Sequence, residues 1–348
     1  MAWDVIAIGW DVGGWQGKKQ AVAVAAWRRG DKAVTWLGIS PAFSLSQRAP
    51  LSLDTLLSPA GVSVDVVAKA KQVTIGIDAP LAYPLAFKRL LAGEPVLDTA
   101  PQAEIDNPLA YRDCERWVHW TFGKKPMSPV FDRLGNNATV AMSALHALRR
   151  QGYSVLPQDA DEAIRAVIEV YPALLKDAAE SASPAKPMFR PFLPDPVPQT
   201  GDVYDAALAA LVALGHGLCA LGEEEALSLP CILGPAPGYV RDEGWVYALN
   251  CGKVISTHSH ENATVAKHRD DSERGEWRGG SSASTQIGYV NCNAQRVGGT
   301  RGTPGTDHGQ LAYRVICERC GCVYGVNGTS LFQCKCPTCQ RGRADIPF

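Results

Sequence analysis

WDVIAIGWDVGGWQGKKQAVAVAAWRRGDKAVTWLGI, residues 3–39, decides the fold. Its first run, residues 3–11, is apolar at successive rather than alternate positions, the pattern of a strand buried on both faces of a sheet. Gly13 and Gly14 turn the chain, and residues 20–28 make a second run. Arg29-Gly30-Asp31-Lys32 is a hairpin signal before a third run at 33–39. Three strands joined by short turns predict an antiparallel meander. A helical stretch within Leu51–Lys71 then leads to a fourth apolar strand, Val73–Asp78. Passing from meander through helix to another buried strand predicts an α/β fold with a mixed sheet and helices packed on it.

Downstream, residues 81–150 read as an α-helical insertion whose clearest helices are YRDCERWVHWTF and ATVAMSALHALRRQG. The second spaces Val140, Ala141, Ala144, Ala147 and Leu148 along one helical face, and Gly152 suits its C-terminus. Residues 163–170 return to strand, and the six prolines of 184–198 predict a mobile or extended connection. A last helix begins near Gly201-Asp202, and Gly244–Leu249 is a candidate final strand. The expected division is a sheet domain over 1–250, a linker of low core-forming power over 251–285, and a cysteine-bearing module over 286–348.

A chain of 348 residues is long for a single core, so two domains are expected. Hydrophobic content of 46% and charged content of 20% exclude a disordered or fibrous chain. The net charge of −1 is unevenly spread: 22 Lys+Arg against 27 Asp+Glu in residues 1–250 gives −5, and 12 against 8 in 251–348 gives +4. The C-terminal end is the mildly basic one, a hint of nucleic-acid contact there. No basic segment precedes the first strand, and the longest apolar stretch, Ala206–Leu221, is short for a bilayer and contains His216. A buried core helix, no membrane contact and a cytoplasmic location are expected. Six of the eleven cysteines fall between Cys317 and Cys339 in metal-ligand spacing, a pattern of reducing compartments.

Five carboxylates carry the chemistry: Asp11 in IGWDVGGW, Asp78 in TIGIDAP, Glu169 in AVIEVYP, and Asp202 with Asp205 in GDVYDAALAAL. The first three end apolar runs, where a charge is costly unless a cation compensates it. Asp202 and Asp205 share one face of the first helical turn, and one of them can be explained as an N-cap. Gathered at strand tips, such oxygens build a Mg²⁺ or Mn²⁺ site.

The order of these motifs resembles the family of predicted ribonuclease H-like nucleases described as "domain of unknown function 429". The resemblance covers roughly residues 4–250. It rests on Asp11 with Gly13 and Gly14, Asp78 with Pro80, Glu169 with Tyr171 and Pro172, and Asp202 with Asp205 and Ala206. Arg112, Cys114 and Arg116 match a further stretch, with Glu115 standing where the family has Asp; the basic segment expected after Tyr171-Pro172 is short. The resemblance implies a five-stranded mixed sheet of order 3-2-1-4-5 and two-metal hydrolysis of phosphodiester bonds. Asp11 would bridge the metals, Asp78 and Glu169 ligate one, and Asp202 or Asp205 the other. Lys18, Lys19, Arg112, Arg133 and Lys186 are candidates for phosphate contact.

Cys317-x-x-Cys320 and Cys336-x-x-Cys339, with 15 residues between the pairs, have zinc-ribbon spacing. Four thiolates leave no open position, so a structural Zn²⁺ is expected, with Cys322 and Cys334 able to substitute for a neighbour. This module is a candidate for nucleic-acid contact or protein docking. Two other readings of the sheet domain stay open: a binding module without turnover, and an actin-like or sugar-kinase-like ATP-dependent phosphotransferase. The latter normally has a second Gly-rich phosphate loop, which is not seen before residue 250.

Overall fold

The computed structural model describes residues 2–16, 19–45, 51–97, 99–132, 134–177, 184–196, 201–236, 239–250 and 277–348 apart from 281, 307–308, 319–321, 339, 341, 343–345 and 347. The chain divides into two compact units, Met1–Pro235 with Tyr239–Lys253, and Ala236–Gly238 with Val254–Phe348.

The first unit is built on a meander: β1 (Val5–Asp11), β2 (Ala21–Trp27) and β3 (Thr35–Ile39) pair antiparallel in succession. Two short helices, α1 (Leu53–Leu57) and α2 (Val64–Ala68), follow, and β4 (Gln72–Asp78) returns parallel to β1. The insertion supplies α3 (Leu85–Leu91), α4 (Asp113–Phe122) and α5 (Gly135–Arg150). Beyond it come β5 (Ser154–Val155), β6 (Arg165–Val170), α6 (Asp202–Ala220), β7 (Ile232–Leu233) and β8 (Val246–Leu249). The sheet is mixed and eight-stranded, in the order β3-β2-β1-β4-β6-β8-β7 with β5 beside β6, so the expected five strands are extended by three short ones.

The two faces of this sheet differ in side-chain size. Register pairs place Ala7 with Ala25, Gly9 with Ala23, and Gly9 with Gly76 on one face. That smooth face takes α6, an almost wholly buried helix of Ala, Leu, Val and Gly. The approach is close: a Cβ on Gly9 would lie 2.0 Å from the Ala206 carbonyl oxygen and 2.2 Å from the Ala210 nitrogen. Gly217, at the far end of α6, meets Val5 at the start of β1, so helix and strand run in opposite directions. The first turn of α6 therefore lies over the C-terminal ends of β1 and β4. By length and composition α6 is long and apolar enough to cross a membrane, yet 72% of its apolar 18-residue window is buried inside the unit. Its role here is that of a core helix.

The opposite face carries the bulky residues. Ile6, Ile8, Trp10, Val22, Val24, Val73, Ile75 and Ile77 form one core with Leu53, Leu56 and Leu57 of α1 and Val140, Ala141, Ala144, Leu145 and Leu148 of α5. The proline-rich segment departs from expectation. Ala185 and Phe189 are fully buried, the Ala185 N–H donates to the Tyr204 hydroxyl at 2.6 Å, and the Trp36 indole donates to the Phe192 carbonyl at 3.1 Å. Apolar residues between the prolines anchor residues 184–193 to the unit.

The second unit holds a three-stranded antiparallel sheet, β9 (Gln295–Gly299), β10 (Ala312–Cys317) and β11 (Val323–Asn327), in the order β11-β10-β9. Residues 277–285, assigned to the linker on composition, belong to this unit: Arg278 and Thr300 exchange backbone hydrogen bonds of 3.0 and 2.9 Å. Residues 251–276 of that linker lie outside the described residues.

Candidate metal centre

Asp11 and Asp78 are the last residues of β1 and β4 and are direct register partners across the parallel ladder. Both project on the α6 face, as continuations of the Gly9 and Gly76 row. Asp205, in the first turn of α6, meets them from above, with Asp202 one turn before it. Gly201 (φ 94°) is the helix N-cap and makes no side-chain cap bond, so neither Asp202 nor Asp205 serves as the N-cap.

The electrostatics express this crowding. Burial pushes the Asp11 carboxyl well above its usual range, and Asp78, Asp205 and Asp202 push it further, with Lys176 opposing. Burial likewise raises Asp78, followed by the charge of Asp205, Lys176 again opposing. Among the described residues no hydrogen-bond donor reaches either carboxylate, whereas buried carboxylates ordinarily gather donors or cations. Asp205 differs, because it forms an ion pair with Lys176. The donor set is all carboxylate oxygen, suited to a hard cation with oxygen coordination.

Glu169 does not join this set. On β6 it lies opposite Ile77, not Asp78, and a one-residue step along a strand reverses the face. Its oxygens are taken on the other side: Arg112 donates through Nη1 at 2.8 Å and Nη2 at 2.5 Å, and the Leu81 N–H donates at 2.8 Å. Arg112 is fully buried and also binds Glu115 through Nε at 2.9 Å and the Glu243 carbonyl at 3.1 Å. Burial opposes the guanidinium charge, and Cys114, Glu115 and Glu169 raise its pKa well above the ordinary. Cys114, Glu115 and Glu169 offer ligand atoms within 4.8 Å of one another. The Arg112 guanidinium already bridges the two carboxylates there, and burial pushes the Cys114 thiol well up, which keeps it protonated. Arg112 is thus a buried structural cation and not a contact for an external phosphate.

A cavity of about 240 Å³ opens at the ends of the parallel strands and is lined by Asp11, Asp78, Asp205, Glu169, Tyr171, Lys124 and Lys176 among others. Ligands of open α/β sheets bind in this place, beyond the carboxyl ends of the strands. Lys124 packs over the Tyr171 ring at 5.6 Å, and its Nζ donates to the Ala173 carbonyl at 3.3 Å. Burial lowers the Lys124 pKa, and the nearby charges of Lys176 and Lys186 lower it further. Lys124 and Lys176 therefore line the cavity with the aspartates, and Lys186, whose Nζ donates to the Leu174 carbonyl at 2.6 Å, acts on Lys124. Lys186 was read from sequence; Lys124 and Lys176 were not. Lys176 had a signal, since it falls four residues after Pro172, inside the short segment where basic residues are expected. Lys18 and Arg133 lie outside the described residues, and Lys19 closes the β1–β2 turn near Gly13.

In the second unit Cys317 ends β10, and its N–H donates to the Cys322 carbonyl at 2.8 Å. Donors are aimed at the sulfurs: Gln295 Nε2 at Cys317 (3.4 Å), Thr338 Oγ1 at Cys322 (3.1 Å) and Asn291 Nδ2 at Cys334 (3.3 Å). Cys336 shares a hydrogen bond with Cys322 and raises its pKa, with Cys317 adding to the effect. Cys322 thus lies beside Cys336 and feels Cys317, with side-chain donors on Cys317, Cys322 and Cys334. Cys320 and Cys339, the other two expected ligands, lie outside the described residues. No protein-family model, curated protein or solved structure matches this chain.

Proposed function

We propose that the first unit is a ribonuclease H-like nuclease that hydrolyses phosphodiester bonds with Mg²⁺ or Mn²⁺. The observation that carries the reading is the in-register pair Asp11 and Asp78, joined by Asp205 at the mouth of a cavity. The order β3-β2-β1-β4, with β6 next, supports it, since it follows the order that the motif resemblance implies once β5 is set aside.

Asp11, Asp78 and Asp205, with Asp202 beside them, would hold the cations. When bound, divalent metals in such sites activate water and stabilise the leaving oxygen. The protein's own contribution is more specific. Lys176 tethers Asp205 and keeps one positive charge in the acidic cluster. Lys124 and Lys186 add charge that attracts the phosphate backbone. Glu169, clamped by Arg112 and the Leu81 N–H, fixes the Asp78-Ala79-Pro80-Leu81 turn and so positions Asp78. In the second unit, Cys317, Cys336 and neighbouring cysteines would bind a structural Zn²⁺. Metal analysis is expected to find about one zinc per chain.

Mg²⁺- or Mn²⁺-dependent cleavage of single-stranded, duplex, hybrid and branched nucleic acids tests the reading. Wild type is expected to cut at least one of these and Asp11→Asn none. Equal behaviour of the two proteins on all four defeats it.

A further inference from the structure

We propose that Trp15 is a preorganised stacking platform for an unpaired nucleobase next to the scissile phosphate, so that the substrate strand enters single-stranded. The inference rests on the nuclease reading and adds a substrate class to it.

Trp15 is 45% exposed, an unfavourable place for the largest apolar side chain, yet it is held rather than loose. Its indole N–H donates to Thr139 Oγ1 at 3.0 Å and its backbone N–H to Asn136 Oδ1 at 3.5 Å, both on α5. The loop that presents it is fixed by Gln20, which is fully buried. Gln20 Oε1 accepts from the Trp10 indole at 2.9 Å and the Gly13 N–H at 3.3 Å, and its Nε2 donates to the Gly14 carbonyl at 3.0 Å. Gly14 itself is pressed on α5, since a Cβ there would lie 2.0 Å from Asn136 Nδ2. A ring fixed in this way loses little entropy when a base stacks on it.

The position suits a nucleic acid. Trp15 follows Asp11 by four residues, at most about 14 Å of extended chain. Its anchors flank Asn137, which lines the cavity, as do Met127 and Leu134. Met127, one of these lining residues, is 50% exposed. Lys124 and Lys176 line the cavity, so charge for a phosphate lies in the same cavity that Asn137, next to the Trp15 anchor Asn136, helps to line. Single-strand binders combine these same two elements, a cationic groove and rings on which bases stack without regard to sequence. A duplex keeps its bases stacked on one another and offers no free face.

The test measures binding of fluorescein-labelled dT and U 20-mers, and of a 20-mer of abasic units, by anisotropy in Mg²⁺. The full chain is used in an Asp11→Asn background, where cleavage is blocked. Trp15→Ala is expected to weaken binding of the base-bearing 20-mers about tenfold and to leave the abasic one unchanged. Trp15→Phe, which keeps a ring and guards against a folding defect, is expected to restore most of the affinity. The dT and U arms decide between DNA and RNA. Unchanged affinity of Trp15→Ala for both base-bearing strands, or an equal loss for the abasic strand, overturns the platform and leaves the nuclease reading intact. Failure of the folded Asp11→Asn protein to bind either base-bearing strand overturns the platform, while the nuclease reading is tested separately by cleavage with the wild-type chain.

Discussion

Asp11 on β1 and Asp78 on β4 stand side by side as register partners, and among the described residues no hydrogen-bond donor reaches either carboxylate. Burial raises both pKa values above 3.8, helped by the charge of Asp78 at Asp11 and of Asp205 at Asp78, so the native state holds protons that the unfolded chain releases. The stability of the metal-free protein from this source is full below about pH 4 and lost as pH rises through the raised folded values. Mg²⁺ replaces those protons. We therefore expect the metal-free protein to lose stability from pH 5 to pH 8, and Mg²⁺ to raise Tm more at pH 8 than at pH 5. Asp11→Asn or Asp78→Asn removes the repulsion. Each is expected to stabilise the metal-free protein at pH 8 by about 1–2 kcal/mol and to abolish the Mg²⁺ increment in thermal melts.

Arg112 and Glu169 form a pair whose role is architectural. Arg112→Met strands Glu115 and Glu169 in the interior, and urea melts are expected to show a loss of about 3–5 kcal/mol. Glu169→Gln lowers stability by less and leaves the aspartates in place. A Mg²⁺ thermal shift that survives Glu169→Gln but not Asp78→Asn separates a positioning role from a ligand role.

Lys176 is buried and paired with Asp205, so on the nuclease reading its ammonium would compete with a cation and draw phosphate. Lys176→Met is expected to leave metal binding intact or tighter while lowering cleavage at least tenfold, roughly the worth of one charge-assisted contact. A titration of rate against Mg²⁺ concentration reads both effects. A parallel loss of metal affinity and rate contradicts this role.

His216, far from the cavity on α6, gives an independent pH signature. Burial lowers its pKa to about 4, and its ring packs edge-on to Tyr247 with Nδ1 at 3.2 Å from the Thr74 hydroxyl. A depressed histidine pKa favours the neutral native form. Its stability contribution is full above 6.5 and lost as pH falls through about 4, a loss of about 3 kcal/mol. His216→Gln is expected to flatten that part of the stability–pH curve measured in urea.

Much of this was legible in the sequence because strand burial writes itself as apolar runs. Residues 3–39 announced the meander, Asp11 and Asp78 stood out as charges at the ends of such runs, and Asp205 stood out only as one of the pair Asp202 and Asp205 that opens an apolar helix. Glu169 stood out for the same reason but belongs to the other face. That difference hangs on the β4–β6 register, which places it opposite Ile77 and depends on long-range pairing that no local pattern encodes. Arg112 read as a candidate for phosphate contact because two of its partners, Glu169 and the Glu243 carbonyl, are 57 and 131 residues away. The proline run read as mobile because Phe189 and Ala185 are too few to form a pattern, though they suffice to anchor it. The two-residue strands β5 and β7 are held by neighbours rather than by propensity.

The central claim is that Asp11, Asp78 and Asp205 together hold a divalent cation, and direct Mn²⁺ binding tests it most squarely. Electron paramagnetic resonance titration of the full chain is expected to show Mn²⁺ bound by wild type and by Glu169→Gln. Asp11→Asn and Asp78→Asn are expected to lose it. Wild-type protein that binds no Mn²⁺, or aspartate variants that bind it as wild type does, would contradict the account.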